Sequence, residues 1–256
     1  MGKKIAVYSS YWSKTATELF VAGVNERAKK DGINVVNLHD LNPVEGANEL
    51  DGVIMFLGGD VDILSLERFV ASLRASDIPF VTSGVQFSSF DFIGADSYGG
   101  IRELTEYLIS ELGLSEFNFL TGPFYDKENK EKLNAFIDTL IEYEMKFDHT
   151  NIIKGNNSYD DGVAVANCYL NGELPTPEAV VCASDEMAAG LLDTINTLTV
   201  TGFGNFSELS ADDLAFSTAS FPARRLGWLC ADYVFKKASG LSVEPTERLS
   251  CEVIIK

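Results

Sequence analysis

Apolar and polar positions follow two alternating periods along this chain. Continuous apolar runs are separated by stretches in which apolar residues recur at helical spacing. Ile5–Tyr8 is the first run, and Leu19, Phe20, Val24 and Ala28 then trace a helix ended by Gly32. Asn34–Leu38 predicts a strand. Gly52–Leu57 is apolar throughout, as expected of a strand covered on both faces. Leu66, Phe69, Val70 and Leu73 have helical spacing. Pro79–Thr82 and Phe92–Ala95 read as strands, Gly99–Leu112 as a helix and Phe117–Thr121 as a strand. The pattern continues with a helix over Lys130–Tyr143, a strand over Asn151–Lys154, a helix over Tyr159–Leu170 and a strand over Ala179–Ala183. Glu186–Leu198 predicts a helix, Val200–Phe203 a strand, Pro222–Lys237 a helix and Leu249–Ile255 a final strand.

This βαβα order implies α/β architecture with parallel sheets and helices on both faces. Roughly ten strands in a chain of this length fit two smaller doubly wound sheets better than one open sheet. Ligands in such folds bind at the carboxyl ends of strands. Those ends are Ser9–Ser13, Gly58–Asp62, Ser83–Phe87, Asp96–Gly99, Gly122–Asp126, Ser184–Asp185 and Gly202–Asn205.

Charge narrows the partners. Asp plus Glu number 38 against 20 Lys plus Arg, a formal −18. That field repels a phosphate backbone and an anionic membrane surface, and no run of basic residues offsets it. The N-terminal apolar run is too short for a signal-peptide core, and no run approaches a membrane span. Cys168, Cys182, Cys230 and Cys251 are far apart and lack metal-ligand spacing, so they read as buried reduced thiols of a cytoplasmic protein. The sequence implies neither a metal nor a cofactor. Only His39 and His149 are present, and no nucleophile elbow, dinucleotide fingerprint or phosphate loop appears.

Four segments in order carry a resemblance. They are Asp96-Ser97-Tyr98-Gly99-Gly100 with Phe117–Pro123, then Val180–Gly190, then Val200–Asn205, then Thr218–Pro222 with Gly227. Together they resemble the effector domain of the lactose-repressor/galactose-repressor family. The resemblance implies a type 1 periplasmic-binding-protein fold: two Rossmann-like lobes with parallel sheets, joined by three crossovers, and a small molecule in the cleft between them. The crossings are expected near Leu114–Glu116, Ser217–Ser220 and Gly240–Glu247. The lobes are then residues 1–114 plus 219–240, and 115–218 plus 241–256. The family's helix-turn-helix is not seen ahead of the strand at Ile5. The stretch from Leu38 to Gly52 is short for the usual intervening helix. Lys132 stands where the family has a sugar-gripping Arg, Ser184 where it has Asn, and Gly204 where it has Asp. Lys cannot form a planar bidentate clamp as Arg does, so three anchors for sugar hydroxyls are changed.

The candidate ligand-binding residues are Ser10, Tyr11, Trp12, Asp60, Gln86, Asp96, Phe124, Lys132, Asp185 and Asn205. The strand ends are rich in aromatic residues, which points to a sugar-like or aromatic metabolite stacked by Tyr11 or Trp12. Asp96 reads either as a ligand acceptor or as the N-cap of the helix after it. Asp185 has the same two readings, with the cap favoured, and Asp60 reads as a ligand contact or a turn residue. Lys132 is expected on a solvated helix face unless the ligand is acidic. The expected function is a non-catalytic sensor domain of a signalling or transcriptional regulator, a homodimer with no nucleic-acid contact of its own and an output domain fused or absent. The alternatives are a solute-binding protein of a transporter and a cleft hydrolase or isomerase.

Overall fold

The apolar runs become strands at nearly the expected places in a computed structural model, which describes residues 3–10, 13–42, 49–59, 61–204, 215–245 and 248–256. In chain order the elements are β1 (Lys4–Ser9), α1 (Lys14–Lys30), β2 (Asn34–Leu38), β3 (Gly52–Leu57), α2 (Ile63–Ala75), β4 (Phe80–Gly84) and β5 (Ala95–Asp96). There follow α3 (Ser97–Ser110), β6 (Phe117–Thr121), α4 (Lys127–Glu142), β7 (Ile152–Lys154), α5 (Tyr159–Leu170), β8 (Ala179–Cys182) and α6 (Asp185–Thr194). The chain continues through β9 (Thr199–Gly204), β10 (Ser217–Ser220), α7 (Ala223–Ala238), β11 (Leu249–Ser250) and β12 (Glu252–Ile254). It divides into two units, Met1–Ala95 with Pro222–Leu249, and Asp96–Phe221 with Ser250–Lys256.

The first unit holds a parallel sheet in the order β2-β1-β3-β4. Every residue of β3 is buried, so both of its faces are covered, as its continuous apolar run requires. Phe20 of α1 stacks on Phe56 of β3 with ring centroids 4.3 Å apart. On the other face Leu66, Phe69, Val70 and Leu73 of α2 pack with Met55 and Leu57. Each such side chain contributes roughly 1.5–3 kcal/mol by leaving water. Helices α1 and α7 cross at backbone contact. A Cβ on Gly23 would lie 1.9 Å from Arg224 O, and one on Gly227 would lie 1.9 Å from Phe20 O. At the far end of this pair Arg27 bonds Asp232 at 2.8 Å and Asp31 at 2.6 Å.

The second unit holds a six-stranded sheet in the order β12-β10-β9-β8-β6-β7. It is parallel except for β12, which pairs antiparallel with β10. Phe119 of β6 and Phe136 of α4 are in ring contact at 5.1 Å. No helix among the described residues is long and apolar enough to cross a membrane.

Several expectations are corrected. By internal contact the chain changes unit at Ala95/Asp96, Phe221/Pro222 and Leu249/Ser250. Helix α3 therefore lies in the second unit, where Gly100 sits against Ala219 and Cys251. Ser217–Ser220, expected as a crossover, is a fully buried strand. The run from Phe92 to Ala95 gives only the short β5, and Thr82 bridges to Phe92. The final strand is broken at Cys251 into β11 and β12. Helix α4 starts three residues earlier than Lys130, and α6 stops at Thr194 rather than Leu198.

Candidate functional site

Parallel strands point their carboxyl ends to one edge, and the helix that follows each strand starts there. Capping side chains and backbone N–H groups therefore gather at that edge. In the first unit Ser13 caps α1, its hydroxyl accepting from Ala16 N at 3.2 Å. Ser10 Oγ accepts from Gly58 N at 3.2 Å, which ties the end of β1 to the end of β3. Ser9 and Thr17 join their hydroxyls at 3.1 Å. Asp62 caps α2 by accepting from Leu64 N and Ser65 N, and the Ser65 hydroxyl, helped by these backbone bonds, holds its carboxyl below the usual range. Gln86 is exposed and accepts from Arg248 Nη2 at 2.9 Å. Of the candidates here, Ser10 and Gln86 are thus engaged with the protein itself. Tyr11, Trp12 and Asp60 lie outside the described residues, as does Asn205 of the second unit.

The second unit carries a buried ionic network at the same edge. Lys132, expected in solvent, is 2% exposed. Helix α4 starts at Lys127, so Asn129, Lys132, Leu133 and Phe136 share its inward face. Lys132 Nζ lies 3.0 Å from Glu128 Oε1 one turn earlier and donates to Ala183 O at 3.1 Å. Its ammonium sits 3.9 Å from the ring centroid of Phe203, a desolvated cation–π contact. Ser97 Oγ donates to the same Glu128 oxygen at 3.3 Å. Asp126, 5% exposed, caps α4 by accepting from Glu128 N at 2.9 Å. Burial, reinforced by the Glu128 charge, pushes its carboxyl up to about 6. Burial also raises Glu186, against the attraction of Lys132.

Asp185 is not the cap of α6. Ser184 takes that place, accepting from Met187 N at 3.3 Å, and Asp185 begins the helix proper. The Asp185 carboxylate is 1% exposed and accepts from Thr218 Oγ1 of β10 at 2.5 Å. It occupies the space a side chain at residue 202 would fill, since a Cβ on Gly202 would lie 2.2 Å from Asp185 Oδ1. Asp96 caps α3, accepting from Gly99 N at 2.9 Å. Phe124 is 38% exposed, with Lys154 Nζ 5.5 Å from its ring centroid.

The structure thus draws Lys132 and Asp185 into the strand-end layer of the second unit and adds groups that sequence reading missed. These are Asp126, Glu128, Asn129, Asn157, Glu186 and Thr218. A signal for Asp126 was present: an acidic residue directly before the α4 pattern, hidden by starting that helix at Lys130. Among the described residues no group of three or more His, Cys, Asp or Glu is placed to hold a metal ion. Cys182, Cys230 and Cys251 are buried, and burial raises each thiol.

No family model matches the chain. Catabolite control protein A of Staphylococcus xylosus is 30% identical over 148 residues, 57% of this chain and 42% of that protein. The chain thus spans less than half the length of that curated relative. The lactose repressor bound to the anti-inducer ONPF superposes with a TM-score of 0.81 at 20% identity, covering 99% of this chain and 98% of that one. The transcriptional regulator CelR in complex with cellobiose gives 0.78 at 21% identity, covering 100% and 84%. The lactose repressor and CelR are transcriptional regulators by name, and the resemblance read from the motifs holds. The structural likeness carries the α/β fold of those effector domains.

Proposed function

We propose that this chain is the non-catalytic, ligand-sensing part of a bacterial transcriptional or signalling regulator. The observation that carries this reading is the strand-end layer of the second unit. Lys132 and Asp185, at positions where the resemblance assigns ligand contacts, lie buried in that layer with Asp126, Glu128 and Thr218. The polar contacts described there orient side chains or cap helices, and the hydroxyls of Ser97 and Thr218 are held by carboxylates within the layer. Such an edge suits reversible recognition of a small polar molecule. The ligand is sugar-like or an aromatic metabolite. It acts by preferring one conformation of the regulator, and its effect is bounded by that difference in affinity.

The same reading places the protein in the cytoplasm as a homodimer. Its net charge of −18 leaves nucleic-acid contact to another part of the regulator. A thermal-shift screen against sugars, nucleosides and aromatic metabolites tests it. A ligand present at ~100-fold over its Kd adds about 2.7 kcal/mol and raises the midpoint by roughly 5–10 °C. Recovery of the hit unaltered, with sedimentation giving a dimer, supports the proposal. Chemical conversion of the hit, or silence across the panel, overturns it.

A further inference from the structure

The sheet of the second unit also has an amino edge, opposite the layer built around Lys132, and a cavity of about 110 Å³ lies there. Leu108 and Leu112 at the end of α3, Leu192 of α6, Val200 of β9 and Phe216 before β10 give it apolar walls. Leu112 and Lys256 are exposed, which gives it a route to solvent.

Two hydroxyls give the cavity a polar side. Thr201 and Ser217 both line it, and they stand opposite each other in the parallel pairing of β9 with β10. Their side chains therefore share one face of the sheet. Phe203 lies on that face too, and Gly100 of α3 sits against it, so the face is the one α3 covers. Ser217 Oγ accepts from Lys256 N at 3.0 Å, which leaves its hydroxyl hydrogen to donate. Thr201 is 1% exposed, yet its Oγ1 has no hydrogen-bond partner. Leaving a buried polar group unpaired is costly, and a partner brought in by a ligand relieves it. One rotation about χ1 is all that aiming the Thr201 hydroxyl at an occupant takes.

Size and polarity limit that occupant. An apolar cavity of roughly 150 Å³ holds one benzene, so one of about 110 Å³ holds roughly four or five non-hydrogen atoms. An ion buried among leucines is costly, and the one charged lining residue, Lys256, is exposed. Water would pair with the hydroxyls but forgo dispersion contact with the apolar walls.

We infer that this cavity binds a short, neutral aliphatic alcohol of about three or four carbons. Its hydroxyl bridges the two strands, donating to Thr201 Oγ1 and accepting from Ser217 Oγ. Its alkyl part lies against Leu108, Leu112, Leu192 and Val200. The site goes beyond the function proposed above and does not depend on it, because it shares no residue with the Lys132 layer.

The test is a methyl-labelled NMR titration of the whole chain with isobutanol. Isobutyrate, isobutylamine and n-hexanol serve as charged and oversized controls. Isobutanol is expected to shift the methyl signals of Leu108, Leu112, Leu192 and Val200 saturably, with a Kd of about 1–10 mM for so few atoms. The controls are expected to bind about tenfold more weakly or not at all. Thr201→Val keeps the shape and removes the orphan hydroxyl. It is expected to weaken isobutanol about tenfold yet raise the unfolding midpoint, a pair of opposite signs that a packing role alone does not produce. Ser217→Ala is expected to weaken the alcohol to a similar degree, and it tests the bridge if Thr201→Val fails to fold. Absence of saturable shifts, or shifts away from these methyls, overturns the site. Controls that bind as well as isobutanol overturn the assignment to a short neutral alcohol. Affinity unchanged in the folded variants overturns the hydroxyl bridge.

Discussion

Lys132 Nζ and Glu128 Oε1, 3.0 Å apart on successive turns of α4, form an ion pair almost wholly out of water. Such a pair stabilises only as a unit, because either partner alone becomes an uncompensated buried charge. Lys132→Met and Glu128→Gln are each expected to cost about 3–5 kcal/mol in urea unfolding. The double variant is expected to recover a large part of the loss. Additive losses would show that the two side chains do not depend on each other.

Asp126 gives a signed pH dependence. Its folded carboxyl titrates near 6, above the unfolded value of 3.8, so the folded chain holds the proton more tightly. The ionised form is the unfavourable one. Its penalty is absent below about pH 4, grows between roughly pH 4 and 6, and is complete above. Asp126→Asn is therefore expected to stabilise the protein by roughly 1–3 kcal/mol at pH 7.5 and by much less at pH 4.5. Melting curves at the two pH values measure it, and equal shifts at both would refute the assignment.

The α1/α7 crossing predicts the sign of a glycine substitution. On helix propensity alone Gly23→Ala gains up to ~1 kcal/mol. Here the new methyl would meet Arg224 O at 1.9 Å, and backbone cannot yield as a side chain does. Loss of about 3 kcal/mol or more is expected from denaturant midpoints. A neutral or stabilising result would mean that the helices separate without cost.

Thr218 is the donor that β10 gives to Asp185, at 2.5 Å. Thr218→Val keeps the shape and removes that hydrogen bond from a buried carboxylate. The expected cost is about 1–3 kcal/mol. Thr218→Ser, which retains the hydroxyl, is expected to cost less. Thermal unfolding of the two variants separates loss of the bond from loss of packing.

Much of the fold was legible because its strands carry short runs of apolar and β-branched residues, continuous on both faces in β3. Asn34–Leu38, Gly52–Leu57 and Phe117–Thr121 lie where their runs placed them. β10 was not legible, because Ser-Thr-Ala-Ser carries no hydrophobic signal, although Thr218 and Ala219 are fully buried. Hydroxyl-bearing residues serve there because the strand delivers donors to a carboxylate. Lys132 was misplaced for a related reason: periodicity assigns a lysine to water, and only the tertiary partners Glu128, Ala183 and Phe203 make its burial tolerable. Asp96 takes the helix-capping role that was one of its two readings, whereas the cap expected at Asp185 falls to Ser184.

The division of the first unit into residues 1–95 and 222–249 also sets a timetable during synthesis. Strands β1 to β4 and helix α1 leave the ribosome early, but α7, which covers β3 and crosses α1 at Gly23, follows about 140 residues later. At ~5–20 residues per second that interval is roughly 7–30 s. For that time the glycine groove of α1, and the part of β3 that α7 covers, wait for their partner. The second unit lacks only its last few residues when α7 emerges. Its sheet is therefore able to assemble first, and a ribosome-bound chain stopped before residue 222 presents the faces of α1 and β3 that α7 covers in the finished protein.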